Sequence, residues 1–138
     1  VVFAATNAMG ATFVYECNLS GLQESPPNAS PGTGFGRVTM DTTAVTMRVE
    51  ATFSGLTGTT TASHIHARAD SSTPNGGVAT QTPFFVGFPI GVTSGSYDHT
   101  FDMTQTSSFN ASFVTANGGS PNCYRARIID VRFAFVGA

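Results

Sequence analysis

The chain has 138 residues, a formal charge of −2, 41% hydrophobic and only 10% charged residues, which suits one domain with one core. Every one of its six basic residues is arginine and about a quarter of the chain is Ser or Thr, a mix too apolar for disorder and too rich in β-branched and turn residues for a helical bundle. That balance offers no electrostatic footing for nucleic acid, and no apolar run approaches the ~20 residues of a membrane-spanning helix, so neither partner is expected.

In chain order, VVFAATNAMGA (1–11) has the apolar and small residues of a signal-peptide end, yet is expected to belong to the mature protein. It is read as an N-terminal extension over residues 1–12 and a candidate donor strand, ahead of one domain over 13–138. A first strand is expected over Thr12 to Leu19. The prolines of SPPNASPGTG (25–34) exclude a strand interior, because proline gives no ladder donor. Gly36 to Asp41 and Ala44 to Ser54 alternate with period two, Val38 and Met40 then Val45, Met47, Val49, Ala51 and Phe53 on the apolar side, and DTTA between them predicts an antiparallel hairpin.

SSTPNGG (71–77) is a turn cluster, and Thr82 to Phe88 is expected to be a strand. Ser96 to Thr104 predicts another strand, with Tyr97, His99, Phe101 and Met103 facing inward, and Asn110 to Ala116 a short helical turn. Near the end the apolar phase slips by one at Ile128–Ile129, which predicts a β-bulge or a change of partners before Phe133 and Phe135. Many short strands and no long helical period predict an all-β, antiparallel fold, an immunoglobulin-like or Greek-key β-sandwich or barrel.

LSGLQESPP (19–27), GTGFG (32–36), FSGLTG (53–58), ASHIH (62–66) and TSGSYDHTFDM (93–103), taken in this order, resemble the CHRD domain, named for chordin and common in secreted bacterial proteins. The resemblance spans about residues 12–118 and implies an immunoglobulin-like sandwich distantly similar to copper/zinc superoxide dismutases, with no general activity attached. Where the family closes on a second histidine strand and a Pro-Gly-Gly-Glu-Ile-Arg-Gly-like stretch, this chain has SPNCYRARIIDVRFAFVGA (120–138).

His64 and His66, at i and i+2, project from one face of a strand, a spacing that supplies two imidazoles to copper or zinc, and His99 is the candidate third ligand. The alternative is a pair of outward-facing or backbone-bonded histidines and a satisfied core His99. No G-x-S-x-G elbow and no carboxylate pair stands out, and three histidines are too few for a dismutase, so no enzyme is expected. Cys17 and Cys123 are expected to form one disulfide between first and last strands, the alternative being two small buried residues.

Asn18, Asn28 and Asn110 begin N-x-S sequons and are candidate glycan sites. Val1, Val2 and Phe3, with Phe133 and Phe135, are the candidate assembly residues, since a spare apolar strand beside an incomplete sheet edge allows head-to-tail polymerisation with copies of the same chain. The leading expectation is a secreted, self-assembling filament or matrix subunit, and the alternative an extracellular copper- or zinc-binding module.

Overall fold

Period-two alternation builds most of the molecule. The computed structural model describes residues 10–24, 26–67, 76–116 and, as backbone, 132–136. Its elements are β1 (Thr12–Ser20), β2 (Thr33–Asp41), β3 (Thr46–Ser54), β4 (Ala62–Ala67), β5 (Gly77–Val78), β6 (Gly95–Asp102), α1 (Ala111–Ala116) and β7 (Arg132–Val136). They form two antiparallel sheets, a four-stranded one in the order β1-β2-β3-β6 and a three-stranded one in the order β5-β4-β7. The expected all-β antiparallel sandwich is the observed fold.

β3 shows why the long sheet forms. Met47, Val49, Ala51 and Phe53 are at most 5% exposed, while Arg48 and Thr52 between them face solvent. The strand is paired on both sides, so a slip of one residue would expose the whole apolar row and bury Arg48. β2 begins at Thr33, earlier than the pattern from Gly36 suggested, because Gly34 lets its backbone pass against the Thr52 carbonyl where any Cβ would collide. The hairpin turn takes Val45 at φ 54°, so β3 starts at Thr46 rather than Ala44, and the Asp41 carboxylate accepts from the Thr43 and Ala44 amides at 2.8 Å.

The expected strand over Thr82 to Phe88 is instead a loop. Pro83 has no amide to donate, and the two residues that reach the core, Phe85 and Phe88, lie three apart rather than two. The Phe85 amide donates to the buried Ser63 hydroxyl at 3.1 Å and the Val86 amide to the Gln81 side chain at 3.1 Å. The Phe85 ring then stacks on Tyr97 at 5.7 Å and meets Phe101 at 5.5 Å, and Phe88 stacks on Phe53 at 5.7 Å. This loop plugs the single apolar cluster into which Val38, Val49, Ile65, Ala67, Phe109 and Phe113 also pack.

α1 is the expected helical turn, opened by the Asn110 side chain, which accepts from the Ser112 amide at 2.9 Å. β7 pairs with β4 so that Phe133 stands opposite Ile65 and Phe135 opposite Ser63. The phase slip at Ile128–Ile129 lies outside the described residues.

Candidate functional site

β4 places the histidine pair. Ser63, Ile65 and Ala67 are 0–2% exposed and point into the core, which turns His64 and His66 to the opposite, half-exposed face of the short sheet. Their rings meet edge to face with centroids 4.8 Å apart. His66 Nδ1 donates to the Gly76 carbonyl at 2.8 Å, just before β5, whose Val78 pairs with His66 in the ladder. A carbonyl only accepts, so that bond puts the proton on Nδ1 and leaves the Nε2 lone pair of neutral His66 free.

His64 differs from its neighbour. Its Nδ1 is buried and finds no hydrogen-bond partner, an arrangement that costs about 1–3 kcal/mol for an ordinary polar group. Burial, reinforced by repulsion from His66, lowers the His64 pKa and favours the neutral imidazole; its own backbone opposes the shift. Glu24, beside the 3-10 turn Gly21–Gln23, lies within electrostatic reach of His66. Burial raises the Glu24 pKa and the His66 charge pulls it back down.

The three histidines do not converge. His99 sits on β6 of the other sheet, opposite Val49, packed edge-on against Phe101 at 4.6 Å and stacked near Tyr97 at 6.2 Å. His99 faces the core, whereas His64 and His66 face away from it, because alternation in each strand sends them to opposite sides of the intervening layer. Among the described residues, no group of three or more His, Cys, Asp and Glu side chains is placed to hold a metal ion. Glu24 and Gly76 are the neighbours that sequence reading missed. The motif containing Glu24 is visible at residues 19–27, but its approach to β4 is a tertiary event.

The other candidate residues are scattered. Cys17 is half-buried and packed on the core beside Tyr15 and Leu19, burial raising its thiol pKa, and its expected partner Cys123 lies outside the described residues. Asn18 and Asn28 are exposed, while Asn110 is half-buried and occupied in starting α1. Val1, Val2 and Phe3 lie outside the described residues, and Phe133 and Phe135 are placed only by the β7 backbone.

On the outer face of the long sheet, Glu16, Arg37, Glu50 and Asp98 stand in one cross-strand row. Arg48 grips Asp98 with two bonds of 2.8 and 2.6 Å and reaches Glu50 at 3.1 Å. Three carboxylates face two guanidiniums here, so these ion pairs leave one net negative charge and present no acid–base pair of shifted, opposed function.

The CHRD domain profile matches residues 15–119. Searches of curated proteins and of solved structures returned no match. Among the described residues no helix is long and apolar enough to cross a membrane. With the profile covering most of the sandwich and both of its histidine-pair neighbours, the chain belongs to the CHRD domain family, a non-enzymatic family whose domains occur in secreted proteins.

Proposed function

We propose that this protein is a secreted structural subunit that assembles with copies of itself into an extracellular filament or matrix by adding strands across sheet edges. β1 carries the proposal. It is a nine-residue strand at the edge of the long sheet, paired with β2 without a bulge from Thr12 to Ser20. Sheet edges in monomers are commonly blunted by lysine, proline, bulges or shortness, and β1 has none of these. Phe13 and Val14 are each 48% exposed at its start, directly after the apolar residues 1–11. A neighbour's extended segment would gain backbone bonds along β1 and apolar contact at Phe13 and Val14.

Electron microscopy of native secreted material tests this reading. Regular filaments from the unmodified chain, and dispersed folded monomers from a Val14→Lys variant and from a chain lacking residues 1–10, are the expected results. Dispersed monomers from the unmodified chain overturn it, and filaments that survive the deletion remove residues 1–10 as the donor. Linking of Cys17 to Cys123 belongs to the same extracellular reading, and an intact mass not lowered by two hydrogens under non-reducing conditions excludes it. Glycans at the exposed Asn18 and Asn28 would appear in the same mass measurement.

A second reading, compatible with the first, is an extracellular copper- or zinc-binding module. The observation favouring it is the buried, partnerless His64 Nδ1 beside a second imidazole whose ring is already held by a carbonyl. Metal content after purification without chelator, compared with a His64→Ala, His66→Ala double variant, tests it; equal metal in both rejects it.

A further inference from the structure

We infer that His64 and His66 alone form an open, two-imidazole site for a borderline divalent cation, copper(II) or zinc, with His99 taking no part. This rests on the metal-binding reading and specifies its donors.

Several independent features agree. At metal–nitrogen distances of about 2.0–2.1 Å, two imidazoles sharing one ion at roughly 90–110° place their ring centres about 4.5–5.2 Å apart. The observed centroid separation is 4.8 Å, with the rings edge to face rather than stacked. His66 donates Nδ1–H to the Gly76 carbonyl, the kind of outer bond that fixes ring orientation and tautomer in histidine ligands, and this leaves Nε2 as its donor nitrogen. His64 Nδ1 is buried with no hydrogen-bond partner, and a cation bound in the tautomer that leaves this nitrogen unprotonated would give it one.

Imidazole donors select copper or zinc over magnesium or calcium, which prefer an all-oxygen shell. Among the described residues no third His, Cys, Asp or Glu completes the shell. Water or an exogenous donor therefore fills the remaining positions, and the bound ion is exchangeable rather than sealed in.

Copper(II) titration of the metal-free full chain, followed by electron paramagnetic resonance and calorimetry, tests the assignment. One equivalent with hyperfine structure from two imidazole nitrogens is expected. His64→Gln and His66→Gln should each lose at least about tenfold in affinity. His99→Gln should bind as the unmodified chain does. Circular dichroism melts confirm that each variant is folded; a variant that fails to fold is replaced by the Asn substitution at the same position.

No binding by the unmodified chain overturns the metal-binding reading itself. Full binding by a His64→Gln, His66→Gln double variant shows adventitious binding elsewhere and overturns this site alone. Loss in His99→Gln restores a three-histidine site and overturns the two-histidine assignment.

Discussion

The two sheets are built by different rules. The long sheet is made of strands of eight or nine residues that alternate cleanly, each paired with its sequence neighbour except where β6 closes on β3. The short sheet has a two-residue strand, a six-residue strand and a five-residue strand drawn from distant parts of the chain. Its inner face is completed by a loop, with Phe85 held to Ser63 and stacked on Tyr97 across the layer. Regular pairing supplies the scaffold, and the irregular short sheet carries the His64–His66 pair on its outer face.

If the loop is the keystone between the sheets, removing its central ring should cost more than thinning the regular sheet. Phe85→Ala is expected to lose about 3–5 kcal/mol of stability in denaturant melts, the range for deleting a buried aromatic ring. Val49→Ala, in the middle of β3, should lose about 1.5–3 kcal/mol. A larger loss at Val49 than at Phe85 would break the comparison and return the weight of the fold to the long sheet. Ser63→Ala strands the buried Phe85 amide and is expected to cost about 1–3 kcal/mol, read in the same melts. A neutral result there would mean the loop is held by ring packing alone.

Acid sharpens the comparison at smaller amplitude. The hydrogen bond from Arg48 holds the Asp98 carboxyl below the usual range, and the bond from the Thr104 hydroxyl does the same for Asp102. Both sit on β6 of the long sheet. A carboxyl whose folded pKa lies below its unfolded value adds stability fully present above about pH 4 and lost as pH falls through the folded value. Melting temperature should therefore drop on acidification, and Asp98→Asn with Asp102→Asn should flatten that drop. An unchanged acid profile in the double variant would place the acid-sensitive groups elsewhere. Arg48→Gln is expected to have the smallest effect at neutral pH, because its ion pairs are solvent-exposed and screened.

Legibility follows the same line. Met47, Val49, Ala51 and Phe53 announce β3 because one strand buried on one face must alternate, and Tyr97 and Phe101 announce β6 for the same reason. His99 reads as inward from that pattern, and it is. The loop over residues 82–88 misled because TPFFVGF has the composition of a strand, while its two buried rings sit at a spacing that only the opposing sheet explains. The two residues of β5 are too few to carry any period.

For the site, the spacing of His64 and His66 was enough to put both rings on one face, since i and i+2 on a strand share a side by covalent geometry. The sequence by itself also determined the family, through motifs spread in order from residue 19 to 103. Only the tertiary structure decided that His99 stands on the other sheet and that Gly76 orients His66. The approach of Glu24 and the buried, partnerless nitrogen of His64 belong to the same class. These arrangements join segments ten or more residues apart in the sequence, and strand pairing and the packing of two sheets around one core, rather than any local preference, bring them together.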